Sequence, residues 1–358
     1  MRKLLFTAGP VEVRDEVLDA MRRPLIVHRG KEYRTLHTSI MEKLHRLLNT
    51  DNGILMFVTS ATGAMEAAVR SGVSRSIAHV TCGAFGERWV EISKSNGKET
   101  SVVSVPWGEA VTPPVVEKVP FDSIEAVAVT HNETSTGVMN PVHEIAETVR
   151  ERGSPLLFVD AVTSAFAVDL NIKAMEPDFL LFGTQKALAL PPGLAFAVVS
   201  QRYLEKAKTV QGRGKYLDVL EIKDFGDRQL SPATPPISLM YALDLQLERI
   251  QREGMRARAE RHLRLAEMAR EWARHRLALF PAGYFSNTVT CVRNLRGMEF
   301  ELINSGLGER GFQISEGYGK LKGETFRIGH MGDFTIGEME GLLKALDEVF
   351  EFDKNTDN

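Results

Sequence analysis

From residue 54 the chain alternates short runs of aliphatic and β-branched residues with longer stretches whose apolar positions recur at helical spacing. ILMFVT (54–59) is followed by TGAMEAAVRSG (62–72), IAHVT (77–81) by GERWVEISKSNG (86–97), and then comes SVVSV (101–105). Strands separated by helices of this length pair through crossovers, which predicts an α/β fold with a mostly parallel sheet and flanking helices. The alternation runs on through IEAVAVT (124–130), a helix opening at Pro141 in PVHEIAETVRERG, PLLFVD (155–160) and DFLLFGT (178–184). Pro141 in a first turn and Gly153 just past the end fit the usual asymmetry of helix termini.

After residue 235 the pattern changes. Residues 235–276 carry the period of one or two long amphipathic helices, interrupted near Gly254. Strand-like TVTCV, a helix through EFELINSG, strand-like FQISEG and FRIGH, and a last helix IGEMEGLLKALDEVFEF then describe a smaller α+β C-terminal domain. The expected division is an N-terminal segment (1–20), a large α/β domain (21–250) and a small domain (251–358). The polar end DKNTDN is expected to fray.

Composition narrows the function. The 358 residues are 43% hydrophobic and 25% charged, which suits two soluble domains and excludes disordered, collagenous and disulfide-scaffold classes. A net charge of −3 supplies no positive field for nucleic acid or anionic lipid. Cys82 and Cys291 are too few for a metal cluster, and no metal is expected. The start MRKLLFTAGP has no apolar run of secretory length, and the apolar stretches 156–168 and 187–200 are broken by Asp160 and by Pro191-Pro192. A cytoplasmic, membrane-free protein is expected.

Two apparent motifs are discounted. Gly306, Gly308 and Gly311 spell GxGxxG, but they follow a helical pattern and precede a strand, the reverse of a dinucleotide site. Asn132-Glu133-Thr134 matches a glycosylation acceptor in a chain without a secretory signal. Walker A, HExxH and GxSxG motifs are absent.

Four segment ends do suggest chemistry, because ligands of open α/β sheets bind at the carboxyl ends of the strands. ILMFVT runs into Ser60-Ala61-Thr62-Gly63 at a helix N-terminus, a place for a phosphate or for an ordinary N-cap. PLLFVD ends in Asp160, a carboxylate on an apolar strand that needs a cation such as a pyridinium N–H, or else an Asx turn. DFLLFGTQK delivers Lys186 into apolar surroundings that lower an amine's pKa and favour carbonyl capture; the alternative is a snorkelling lysine. FRIGHMG places Arg327 where a guanidinium clamps a carboxylate, of a substrate or of the protein. A phosphate cradle, an acid for a ring nitrogen, a carbonyl-capturing lysine and a carboxylate clamp are the parts that pyridoxal phosphate needs to act on an amino acid.

The chain resembles the class V aminotransferases of the fold-type I pyridoxal-phosphate enzymes, nearest to the serine–pyruvate, serine–glyoxylate and alanine–glyoxylate group. The resemblance rests on FTAGPVEV, VTSATGAMEAAV, CGAFGERW, VTHNETSTGV, FVDAVTS, GTQKALALPPGLAF, SPATPPISLMYAL and FRIGHMG, in that order. It implies that Lys186 binds the cofactor aldehyde and that Asp160 partners the pyridine nitrogen. By the same resemblance Thr62, Gly63, Ala64 and Gln185 hold the phosphate, Phe85 stacks on the ring, and Ser135 meets the phenolic oxygen. Thr234 is implied to reach the phosphate from the partner subunit of a homodimer, and Arg327 to bind the substrate α-carboxylate. Residues 1–20 are then expected at the site entrance and 21–250 to bind the cofactor. Ala61, Ala8 and Ser231 depart from a frequent glycine, proline and tyrosine, leaving the Ser231 contact open.

The implied reaction is ping-pong amino transfer from a small L-amino acid, serine or alanine, to glyoxylate or pyruvate, Lys186 acting as anchor and base. An aspartate donor would need a second cation, for which Arg29, His28 and Arg34 are candidates. A desulfurase-like lyase would need a mobile reactive cysteine, and neither Cys82 nor Cys291 lies in a polar C-terminal loop.

Overall fold

The structure is a computed structural model that describes residues 2–352. Its main sheet has seven strands in the order Gly53–Phe57, Ala195–Val199, Phe179–Gly183, Leu156–Asp160, Ala126–Thr130, Ser76–Thr81, Glu99–Ser104. All run parallel except Ala195–Val199, which is antiparallel to both neighbours. The sequence reading marked 187–200 only as apolar and proline-rich. It is a central strand, and the loop 184–194 reverses the chain so that it pairs directly with Phe179–Gly183.

The period-two geometry of the strands builds a core on each face of this sheet. Leu157, Val159, Leu180 and Phe182 join one apolar cluster, while Leu156, Phe158, Phe179 and Leu181 join the other. Burial on both faces explains why these strands read as unbroken apolar runs. It also makes the polar residues at their carboxyl ends informative.

A second sheet has the order Leu4–Phe6, Phe312–Glu316, Thr325–Gly329, Val289–Arg293, Ala278–Leu279. Its own core contains Phe326, Ile328 and Leu342. The N-terminal strand Leu4–Phe6 pairs in parallel with Phe312–Glu316, so the start of the chain belongs to this sheet. Helices Ile237–Glu253 and Met255–Arg276 meet at Gly254, whose φ of +83° suits a glycine and breaks the long helical pattern there. Among the described residues no helix is long and apolar enough to cross a membrane. Gly306 and Gly308 lie inside helix Phe300–Glu309, outside any phosphate loop.

Candidate active site

The carboxyl ends of the parallel strands open into a cavity of about 250 Å³. Its wall includes Gly9, Ser60, Ala61, Thr62, Phe85, Arg88, Asn132, Thr134, Asp160, Gln185, Lys186 and Tyr318. Of the residues singled out from sequence, Thr62, Phe85, Asp160, Gln185 and Lys186 therefore meet in one place.

Asp160 is the last residue of its strand and is buried. Burial pushes its carboxyl up to about 7, against a hydrogen bond that Val162 N–H donates to Oδ1 at 2.8 Å. The Asx turn and the buried carboxylate considered separately in the sequence thus coexist. Lys186 follows the neighbouring strand by three residues, and its Nζ donates to the Ala8 carbonyl. Desolvation lowers its pKa to about 8; the nearby Arg327 acts in the same direction and Asp160 opposes it. Gly9 gives the amine room, since a Cβ there would stand 2.3 Å from Nζ, and its φ of +111° also demands glycine.

Helix Ala61–Gly72 begins at the cavity wall, and its N-cap Ser60 makes no side-chain capping bond. The amides of Ala61 and Thr62 lie too early in the helix to reach an intrahelical acceptor, which leaves a helix N-terminus suited to an anion. Gly63 and Ala64, expected in the same cradle, follow in the first turn: their amides meet the Ser60 carbonyl at 2.9 and 3.4 Å, and neither residue lines the cavity.

Ser135 does not line the cavity either. Its hydroxyl donates to Glu133 Oε1 at 2.5 Å and accepts from the Ala84 amide at 3.1 Å, so it is spent outside the cavity. Thr134, one position earlier, lines the wall instead. The buried Glu133 carboxylate also accepts from the Phe85 and Gly86 amides, capping the helix Ala84–Ser95 that carries Phe85. Burial raises its pKa against those bonds. Thr234 is exposed and does not line the cavity of its own chain, and Ser231 is buried with Oγ unpartnered among the described residues.

Arg327 is buried beside the cavity. Its Nε donates to the Glu316 carbonyl at 3.0 Å and its Nη1 to the Thr134 carbonyl at 3.2 Å, and its guanidinium lies 5.5 Å from the Tyr318 ring. Among the described residues it makes no ion pair with a carboxylate. Arg88 and Tyr318 escaped the sequence reading. Arg88 sits one turn beyond Phe85 in CGAFGERW, and that spacing alone was the available signal. Arg29 is exposed, and Arg34 donates to the Arg228 carbonyl, so neither enters this cavity.

A pyridoxal phosphate fits these residues on three observations: a buried carboxylate that forms no ion pair, an uncapped helix N-terminus, and Asn132 Oδ1, buried without a donor, all among the described residues. An enzyme that captures carbonyl groups on a lysine is the class that this arrangement defines. The Aminotransferase class-V family model matches residues 4–319, and the chain belongs to that family. An uncharacterised aminotransferase of Methanocaldococcus jannaschii is 36% identical, over 96% of this chain and 90% of that protein. The L-aspartate–glyoxylate aminotransferase of Paracoccus denitrificans is 30% identical, over 92% and 87%. The solved alanine–glyoxylate aminotransferase of Nostoc sp. superposes with a TM-score of 0.91 at 27% identity, covering 98% of this chain and 96% of that one. The protein is a pyridoxal-phosphate-dependent aminotransferase, as the resemblance implied.

Proposed function

We propose that the enzyme moves an amino group, by a ping-pong route, from a small neutral L-amino acid, serine or alanine, to glyoxylate or pyruvate. The observation that carries this reading is the meeting of Lys186, Asp160 and an Arg327 free of carboxylates around one cavity of about 250 Å³.

Lys186 would bind the cofactor aldehyde, Asp160 its ring nitrogen, and Thr62 with Gln185 its phosphate, while Phe85 covers the ring. When bound, the cofactor draws off the electron pair left as the donor's Cα–H bond breaks. Lys186, with its pKa lowered toward neutrality, would take that proton from Cα and deliver it to the carbon that carried the cofactor's aldehyde, the transfer that separates amino exchange from racemisation. Arg327 holds the α-carboxylate, and Asp160, once ionised, keeps a proton on the ring nitrogen. Thr234 is proposed to reach the phosphate of a partner subunit. The exposed Leu25 and Val27, beside the Pro24 carbonyl that accepts from Tyr241 Oη, support a homodimer. A cytoplasmic location is supported by two free, buried cysteines.

The aspartate reading gains one observation, because Arg88 places a second guanidinium in the cavity wall. The test is the visible absorbance of the purified protein with cofactor, followed on addition of L-serine, L-alanine, L-aspartate and L-cysteine. A band bleached by serine or alanine supports the reading, and preferential bleaching by aspartate replaces the donor. No band after cofactor addition overturns the assignment. Lys186→Ala is expected to lose the band's lysine-dependent position and nearly all turnover, and Asp160→Ala most of the rate with cofactor still bound.

A further inference from the structure

We propose that Tyr318 is the specificity-determining residue of this site: by occupying Arg88 it biases the cavity toward neutral donors and away from acidic ones. The inference rests on the reading above and concerns which donor side chain that same cavity accepts.

Tyr318 comes from the small sheet's side of the molecule, just after strand Phe312–Glu316, and reaches across to the helix Ala84–Ser95. Its ring stacks on Phe85 with centroids 5.3 Å apart and planes at 24°. Its hydroxyl accepts from Arg88 Nη2 at 2.9 Å, and Arg327 lies over its face. One phenol therefore touches the ring expected to cover the cofactor, the arginine expected to hold the α-carboxylate, and Arg88 of the cavity wall.

The backbone holds it there. A Cβ on Gly317 would fall 2.0 Å from the Leu321 carbonyl oxygen, and Gly319 has a φ of +57°. Lys320 Nζ sits 4.1 Å above the Trp107 ring, whose Nε1 donates to Glu87 Oε1 at 2.8 Å. The loop is thus tied to the same helix a second time, through Trp107, and Tyr318 is a fixed wall.

Arg88 makes no ion pair among the described residues; its direct contacts are a neutral hydroxyl and the Phe85 face, 4.7 Å away, with the Asp160 carboxyl and Lys186 near enough to feel its charge. A guanidinium left with a neutral acceptor beside a ligand cavity exchanges that acceptor for a carboxylate when one is presented, because charge-assisted pairs are stronger. The phenol opposes the exchange by holding Nη2 and by filling the space in front of it. Removing the hydroxyl releases the guanidinium, and removing the ring opens the space.

The experiment uses the cofactor-loaded enzyme and two readouts. The first is kcat/KM for L-aspartate and L-alanine; the second is the Kd of succinate against that of butyrate, two unreactive acids that differ in the second carboxylate. Tyr318→Phe is expected to raise the aspartate-to-alanine ratio by roughly tenfold through the aspartate KM, and to tighten succinate but not butyrate. Tyr318→Leu is expected to go further in the same direction. Adding Arg88→Gln to Tyr318→Phe should erase both gains. An unchanged ratio and unchanged succinate binding in Tyr318→Phe, or gains that persist without Arg88, overturn the proposal. Wild-type donor ranking tests the underlying reading separately: a wild-type enzyme that prefers aspartate refutes the proposed donor, whereas the Tyr318 ratios decide the selectivity device.

Discussion

Asp333 and Asp160 are both buried aspartates, yet their surroundings treat them in opposite ways. Burial pushes the Asp333 carboxyl up, but Arg258, Gln246 and Arg249 overcome it and hold it at about 2. Asp160 has no comparable cation and is left at about 7. The arginines differ in the same sense. Arg258, 1% exposed, pairs with Glu253 at 2.6 Å and Asp333 at 2.9 Å and donates to the Phe166 and Ala187 carbonyls. Arg327, 7% exposed, finds carbonyls and an aromatic face but no carboxylate. Charges that the protein satisfies itself belong to the architecture. Charges it buries and leaves unsatisfied are kept for a ligand.

The sharpest way to break that comparison is to remove one arginine from each region. Arg258→Ala opens a cavity and removes the enclosed partner of Asp333 and Glu253, which keep only the more exposed Arg249 and Arg261, and should cost about 3 kcal/mol in denaturant unfolding, while turnover per folded molecule stays near wild type. Arg327→Gln removes no protein ion pair but frees the Glu316 and Thr134 carbonyls, so unfolding should change by only about 1 kcal/mol, well below Arg258→Ala. Its kcat/KM should fall by about 100-fold or more, with binding of non-reactive carboxylates weakened in parallel. If Arg327→Gln unfolds the protein as Arg258→Ala does, the distinction between the regions fails.

The second prediction works through pH. A carboxyl raised to about 7 is already ionised in the unfolded chain above about pH 4, so folding without cofactor must either take up a proton or bury a charge. The penalty is absent below the unfolded pKa, grows as pH rises toward 7, and is full above it. Asp160→Asn should therefore stabilise the cofactor-free protein by roughly 2 kcal/mol at pH 8 and by nothing near pH 4. Bound cofactor should reverse the order, making wild type the more stable at pH 8. A gain independent of pH would mean that packing, and not ionisation, is responsible.

These unsatisfied charges also explain how much the sequence revealed. Strands buried on both faces write themselves as apolar runs, so Asp160 and Lys186 stood out against them, and the ordered motifs carried the family. The strand Ala195–Val199 was obscured because prolines and a reversal precede it, features that in sequence resemble a loop. Gly63, Ala64 and Ser135 lie off the cavity wall for a local reason: sequence marks which segment meets a ligand, but single hydrogen bonds to Ser60 and Glu133 orient its individual groups. Tyr318 was invisible because its partners, Phe85, Arg88 and Arg327, lie on segments brought together only by the docking of the two sheets. The buried cysteines, raised to about 12 and about 11 by desolvation, lack the exposed thiolate that a desulfurase-like lyase would require.

The smallest expected effect tests whether the paired region is a network or a single bond. Arg249 also reaches Asp333, at 2.6 Å, and bonds Glu16 at 2.7 Å, but it is 24% exposed where Arg258 is enclosed. With Arg258 still in place, Arg249→Ala should cost only about 1 kcal/mol at pH 7, since water replaces part of what is lost. Its signature lies in acid. Asp333 is held below its ordinary value, so its stabilising contribution is present above the unfolded pKa and is lost as pH falls through about 2. Weakening that hold moves the loss to higher pH, and the acid limb of the unfolding curve should shift upward while the donor kinetics stay as they were. An unmoved acid limb would assign the depressed pKa to Arg258 and Gln246 alone, leaving Arg249 as a surface contact.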